Sequence, residues 1–169
     1  ARRYADTWLL LADLYKKLDE DSKFESTLKR YIESSDLSEE KRGAWEKLAS
    51  YYQVRAKYAD ELFARTQLAQ LPDTDYETIS DAANRFNNIV SQQRYMFEHD
   101  EKSHIIQPLI LLMEKRDSEA DATDFSRLGW LYMHNNQLRE AESAARRGLA
   151  IDESSEYCAR LLNRIQNSR

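Results

Sequence analysis

The chain has 169 residues, of which 41% are hydrophobic and 33% charged, enough for one compact domain with a sizeable core. Only three glycines and two prolines are present, which argues against an all-β fold with many tight turns and against a glycine-rich phosphate loop. The 25 basic and 30 acidic side chains are spread along the chain without a basic segment, so we expect no direct binding of nucleic acid.

The composition also indicates in which cellular compartment the protein is expected. The single Cys158 permits no intramolecular disulfide, and we therefore expect a cytoplasmic protein. The longest apolar runs, at 8–12 and 109–113, fall far below the roughly 18 residues that cross a bilayer, so no membrane insertion is expected. The first residue is Ala1 rather than Met, which suggests a processed chain or a fragment of a larger protein.

Apolar residues recur at three- and four-residue intervals from the first turn onward, which predicts consecutive amphipathic helices. A third helix is predicted to begin with Ser38 as its N-cap, and Pro72 ends a fourth. A fifth is predicted to run from about 74 to Glu98. Pro108 then allows two interpretations: a helix that begins near Gln107, which we prefer, or a longer helix kinked at Pro108.

The last part of the chain carries clear cap and turn signals. Thr123 or Asp124 is predicted to cap one helix, and a turn follows at 135–136. Ser154 or Ser155 is predicted to cap the final helix, on which Tyr157 is expected to face inward.

One eight-residue pattern occurs three times, at 8–15, 45–52 and 125–132: an aromatic residue, a leucine three positions later, a small residue next to it, and a tyrosine after three more. This spacing places the four side chains on one helical face, where the small residue lets a second helix approach closely. The pattern resembles the first helix of a tetratricopeptide repeat. Residues 122–155 also resemble its second helix, through Ala141, Ala145 and Gly148.

The resemblance implies an all-α fold, a right-handed α-solenoid of about eight or nine helices in antiparallel pairs, as a single domain over 1–169. Its units would lie at about 5–38, 42–75, 122–155 and, in divergent form, 76–121, with 156–169 as a capping helix. The family further implies a non-enzymatic scaffold without a cofactor, which binds a peptide, a partner protein or another domain of its own chain. The alternative is a regulatory or accessory segment of a larger enzyme or signalling protein, with catalysis outside these residues.

The exposed positions of the first helices in such an array line a concave binding face. The resemblance places seven candidate partner-binding residues there: Asp13, Lys17, Lys47, Ser50, Arg127, Trp130 and His134. Trp130 lies off the apolar stripe, where it either anchors a partner or packs against a neighbouring helix. The lysine and asparagine set with which similar repeats hold a terminal carboxylate is absent from the matching positions.

The remaining reactive side chains have ordinary structural interpretations. His99 and His104 stand five residues apart, which points them in different directions on a helix, so we expect a solvated turn rather than a metal site. His134 lies near a helix end, where a cation would favour the dipole. Cys158 is expected to be a small buried residue.

Overall fold

The computed structural model describes residues 2–169, with side chains from residue 6 onward. Over this range the secondary structure is helical, which confirms the all-α prediction, and one short 3₁₀ helix at Asp117–Glu119 adds to the α-helices. In chain order the α-helices are α1 (Arg2–Lys17), α2 (Asp21–Ser34), α3 (Ser38–Val54), α4 (Tyr58–Ala69), α5 (Tyr76–Gln92), α6 (His99–Lys115), α7 (Ala122–His134), α8 (Leu138–Ile151) and α9 (Glu156–Gln166). The right-handed solenoid stays a prediction.

The helices form two compact units. The N-terminal unit, Ala1–Pro72, contains α1 to α4, and the C-terminal unit, Asp73–Arg169, contains α5 to α9. The boundary falls close to the one predicted between the repeat at 42–75 and the divergent segment at 76–121.

Aromatic rings fill the centre of the N-terminal unit, where α1 packs on α2, α2 on α3 and α3 on α4. Phe24 of α2 meets Tyr51 of α3 with ring centroids 4.8 Å apart, and Tyr52 lies 5.5 Å from Tyr51. All three rings are buried, so each removes a large apolar area from water. Arg55 stacks its guanidinium 3.9 Å from the Tyr51 ring and pairs with Asp21 at 2.8 Å, which joins α2 to α3.

Small residues bring α7, α8 and α9 of the C-terminal unit close together. A Cβ atom at Gly129 of α7 would lie 2.3 Å from Cδ2 of Leu161 in α9. A Cβ atom at Gly148 of α8 would lie 2.4 Å from Sγ of Cys158 and 3.2 Å from the carbonyl oxygen of Ala122. A side chain at Gly148 would therefore strain the packing against the backbone of α7, whereas a side chain at Gly129 would force Leu161 to change its conformation.

A charged network joins α6, α7 and α8. Arg147 donates to both carboxylate oxygens of Glu114, at 2.8 and 2.9 Å, and the Tyr132 hydroxyl donates to the same carboxylate at 2.6 Å. The hydrogen bonds from Arg147 hold the pKa of Glu114 below its ordinary range. Because a bidentate pair fixes both partners, this network sets the register of the three helices.

The prediction that α5 extends to Glu98 is wrong, because the helix ends at Gln92. Arg94 adopts a left-handed conformation (φ 52°) that turns the chain out of the helix. Phe97 then stacks on Phe86, with centroids 5.1 Å apart. Burial of these rings against α5 therefore outweighs continuation of the helix, and Glu98 instead forms a capping box with Glu101 at the start of α6.

The preferred interpretation of Pro108 is also wrong. α6 begins at His99 rather than near Gln107, so Pro108 lies inside a longer helix. Proline lacks the amide that would bond to the carbonyl of residue 104, but Ile105, Ile106 and Leu109 around it are buried, and their packing holds the helix together. His99 and His104 are exposed, as expected, but on this helix rather than in a turn.

The cap predictions have mixed outcomes. Ser155 is confirmed, since its hydroxyl accepts a hydrogen bond from the Cys158 amide, and Cys158 is buried as expected. Ser38 is the first residue of α3, whose N-cap is Leu37.

The N-cap of α7 is Asp121, not Thr123 or Asp124. Asp121 and Asp124 accept from each other's backbone amides, at 2.8 and 2.9 Å, and so form a capping box. The predicted turn at 135–136 is present, with Asn136 in the left-handed region (φ 60°).

Candidate functional site

The structure divides the seven candidate residues between the two units. Asp13, Lys17, Lys47 and Ser50 belong to the N-terminal unit, where Lys47 Nζ lies 3.0 Å from Asp13 Oδ1 and joins α1 to α3. Both side chains of this pair are about half exposed, and Lys17 and Ser50 are exposed as well. An exposed ion pair is therefore the one contact that the structure describes among these four.

Arg127, Trp130 and His134 line a single groove of about 420 Å³ in the C-terminal unit. Its walls are α5, α7 and α9, which run in the same direction because residue numbers rise together along them. Ser80 and Phe86 of α5 meet Asp124 and His134 of α7. In α9, Cys158 and Leu161 lie beside Ala122 and Gly129 of α7.

The α5 wall is a polar stripe. Its members recur at three- and four-residue intervals and so share one helical face: Asn84, Asn87, Asn88 and Ser91. We refer to this part of the groove, together with Trp130, His134, Tyr157 and Arg160 opposite, as the amide section.

Asn87 has an incomplete set of hydrogen bonds. Its residue is only 9% exposed, and Nδ2 donates to the backbone oxygen of Arg127 at 3.0 Å. Because a carbonyl oxygen can only accept a hydrogen bond, the atom of the Asn87 amide that faces it must be Nδ2, and the other atom of the amide is therefore Oδ1. Among the described residues no group donates to this buried oxygen. An unpaired buried acceptor costs about 1–3 kcal/mol, so Asn87 gains from any donor supplied in the groove.

The α7 wall carries two stacked rings. The rings of Trp130 and His134 lie 6.0 Å apart, and His134 also meets Phe86 edge to face at 5.8 Å. Burial, with a smaller contribution from Lys102, lowers the pKa of His134 to about 4. His134 is the last residue of α7, as expected, but its lowered pKa favours the neutral imidazole rather than a cation at the helix end.

The α9 wall contributes an aromatic ring that we assigned to the core. Tyr157 is 60% exposed and lines the groove, so the expectation that it faces inward is wrong. The inward positions are Cys158, Leu161 and Ile165, which are fully buried at helical spacing, and Tyr157 lies beside that stripe. Trp130 is partly buried in the opposite wall.

Arg127 stands where the amide section meets a second part of the groove. Its Nη1 donates to Ser80 Oγ at 3.0 Å and lies 3.4 Å from Asp81 Oδ1, so it bridges α7 to α5. A second space of about 480 Å³ adjoins the first, and Thr123 and Arg127 line both. We call this the acidic section, since five carboxylates line it: Glu77, Asp81, Glu119, Asp121 and Asp124.

These carboxylates do not form a metal site in the structure. Over residues 6–169, where side chains are described, no group of three or more histidine, cysteine or acidic side chains is arranged to hold a metal ion. Within the described part of the chain, no helix combines the length and apolar character needed to cross a membrane.

The polar stripe of α5 is the feature that sequence reasoning missed. The signal was available, since the four polar side chains stand at positions i, i+3, i+4 and i+7 of a predicted helix. This is the spacing at which apolar residues form the buried face of a helix, yet here the positions hold polar side chains. α5 lacks the aromatic repeat of α1, α3 and α7, so that repeat gives no indication of this face.

Comparison with known proteins returns no relative. No family model matches the sequence, and neither the curated proteins nor the solved structures contain a match. The function must therefore be argued from the groove itself.

Proposed function

We propose that the C-terminal unit binds an extended peptide segment of a partner protein in the groove formed by α5, α7 and α9, and that the chain serves as a non-enzymatic interaction domain. The observation that carries this proposal is the buried Oδ1 of Asn87 at the groove wall, an acceptor to which no described residue donates. Because this oxygen is shielded from solvent in the free protein, a small movement of the side chain would let a peptide amide, directly or through a bridging water, complete its hydrogen bonds.

An extended segment fits this wall better than a helical one. The backbone groups of a helix are used within the helix, whereas an extended chain offers N–H and C=O groups along its length. Asparagine side chains present both a donor and an acceptor, so Asn84 and Asn88 can pair with either kind of backbone group. The polar stripe is therefore suited to bind the backbone of a peptide, largely independently of the peptide's side chains.

The opposite walls supply apolar contact. Trp130 of α7 and Tyr157 of α9 both line the groove with amphipathic rings, and neither residue is fully buried in the free protein. Tryptophan and tyrosine are enriched among the residues that dominate binding energy in protein interfaces. We propose that they receive an apolar side chain of the peptide.

The neighbouring carboxylates support a binding role rather than acid–base chemistry. Asp121 and Asp124 cap α7, and Glu119 is held by Arg116 in a two-point ion pair. Their hydrogen bonds are committed to the fold. The tetratricopeptide-like pattern of α7 agrees with the same proposal, because arrays of that family present the first helices of their repeats to ligands.

A displayed library of random peptides, selected on the full chain, tests the proposal. We expect enriched peptides whose Kd weakens at least about tenfold on a Trp130→Ala, Tyr157→Ala double variant, since aromatic anchors of this kind contribute about 2 kcal/mol or more. Fluorescence anisotropy of the labelled peptides gives the Kd values, and circular dichroism verifies that the variant is folded.

Leu111→Ala is the matched control, because Leu111 is a large side chain that is 70% exposed on α6, a helix that contributes nothing to the lining of the groove. Its Kd values should equal those of the native chain. The proposal fails if no peptide is enriched, or if the enriched peptides bind the double variant as tightly as they bind the native chain.

A further inference from the structure

The acidic section of the groove carries more negative charge than its surroundings neutralise. Five carboxylates line it, and Arg127 is the one cationic side chain among the described residues of its lining. Arg127 reaches Asp81 only at 3.4 Å and is also bonded to Ser80, so its charge is shared.

Two of the five carboxylates are only weakly engaged by the protein: Glu77 lies in the first turn of α5, and Asp81 lies 3.4 Å from Arg127. Asp121 and Asp124 form the capping box of α7, and Glu119 binds Arg116. Glu77 and Asp81 lie on the exposed side of α5, and the Asp81 side chain is 59% exposed. Since Asp81 lies beyond the first turn of α5, the helix dipole does not account for it.

A second, independent feature of the same groove also calls for a hydrogen-bond donor. Asn87 is nine-tenths buried, and its Oδ1 has no donor among the described residues. Asn87 stands six residues after Asp81, which is about 9 Å along a helix. An extended peptide spans that distance in about three residues. Both features can therefore be satisfied by one short segment.

We propose that the acidic section receives a lysine or arginine side chain of the same peptide that occupies the amide section. This inference rests on the proposed function and names the class of ligand: an extended segment in which a cationic residue stands about three residues from the one that donates to Asn87. Glu77 and Asp81 are the residues that recognise the cation. Arg127 lies between the amide section and the acidic section, and its positive charge neutralises part of the negative charge that would otherwise attract the ligand.

The test uses the peptides selected on the full chain and a Glu77→Gln, Asp81→Asn double variant, which removes two charges with little change of shape. We expect lysine or arginine in the enriched sequences, and a Kd about tenfold weaker on the variant at low salt. Replacing the peptide's cationic residue by methionine should weaken binding by a similar factor. The two changes together should cost little more than one, because they remove the same contact.

Glu33→Gln with Glu46→Gln is the matched control, since it removes two exposed carboxylates from the N-terminal unit and should leave the Kd unchanged. Peptides that require Trp130 and Tyr157, yet lack cationic residues and ignore the Glu77 and Asp81 substitutions, overturn this inference and leave the proposed function standing. Failure to select any peptide that depends on the groove overturns both.

Discussion

In the N-terminal unit the helices meet through aromatic rings, whereas in the C-terminal unit they meet through glycine and alanine. Phe24 and Tyr51 place two large rings between α2 and α3. Gly129 and Gly148 place almost nothing between α7, α8 and α9, so that Leu161 fills the space beside α7. The same eight-residue pattern on α3 and α7 thus lies within two kinds of packing.

The difference extends to what each unit exposes. The N-terminal unit exposes leucines at four-residue intervals, at positions 10 and 14 of α1 and at position 18 directly after it. In the C-terminal unit, the walls of the groove expose amides, carboxylates and two amphipathic rings. Close helix packing on one side of α7 leaves its other side free to form a wall with α5. This contrast agrees with the proposal that specific binding belongs to the C-terminal unit.

The aromatic core of the N-terminal unit gives the largest expected effect. Phe24→Ala should lower the free energy of unfolding by about 3–5 kcal/mol, because it leaves a cavity beside Tyr51. Phe63→Ala is the control, since Phe63 is 49% exposed, and it should cost about 1 kcal/mol. Urea unfolding followed by circular dichroism measures both. Equal losses would mean that the rings do not hold this unit together.

His134 should make the C-terminal unit sensitive to mild acid. Its folded pKa of about 4 lies below its ordinary value of 6.5, so the unfolded chain takes up the proton first as the pH falls. The stabilisation is complete above about pH 6.5 and is lost towards pH 4, with a loss of about 2 kcal/mol between pH 7 and pH 5.

Urea unfolding at each pH measures this slope, and His134→Gln should flatten it. His104→Gln should keep it, because His104 is exposed. A native slope that survives in His134→Gln would contradict the burial of the imidazole.

A single added methyl group should change the free energy of unfolding in opposite directions in the two units. Gly148→Ala should destabilise by about 1–2 kcal/mol, because the Cβ atom meets Cys158 and the Ala122 carbonyl and the strain exceeds the gain in helix propensity. Gly43→Ala on α3 should stabilise by up to about 1 kcal/mol, because nothing lies within 4 Å of the new atom. Thermal unfolding compares the two variants, and a shift of the same sign in both would contradict the close packing of α8.

The ion pairs give the smallest effects. Asp13→Asn should change the free energy of unfolding by less than about 0.5 kcal/mol, since Asp13 and Lys47 are about half exposed and screened. Glu114→Gln should cost more, about 1–2 kcal/mol, because it weakens the bonds from both Arg147 and Tyr132. Urea unfolding of the two variants in low and high salt shows which ion pair is screened by solvent and which is protected. An equal loss of unfolding free energy in both variants would contradict the difference between the two units.

Sequence patterns predicted the helices well because the apolar stripes are strong and nearly every helix is bounded by polar or acidic turns. They failed where tertiary contacts overrode local signals. Pro108 lies inside α6 because buried neighbours hold that helix together, and α5 stops at Gln92 because Phe97 packs back on Phe86. Neither outcome has a local signature in the sequence.

The groove was predictable only in part. Arg127, Trp130 and His134 followed from their exposed positions on a repeat-like helix, and the structure places all three in one groove. Asn87 could not be assigned, because the orientation of its amide depends on a contact with Arg127, 40 positions away. The neutral state of His134 likewise depends on enclosure by rings from other elements.

The central claim is that a peptide occupies the groove of the C-terminal unit, and the three tryptophans allow a direct test. Trp8 and Trp45 lie in the N-terminal unit and Trp130 lies in the groove, so their indole N–H signals in a ¹⁵N–¹H correlation spectrum report on the two units separately. Titration with the tightest selected peptide should shift the Trp130 signal to saturation and leave those of Trp8 and Trp45 in place. Saturable shifts of Trp8 or Trp45 with an unmoved Trp130 would contradict the account.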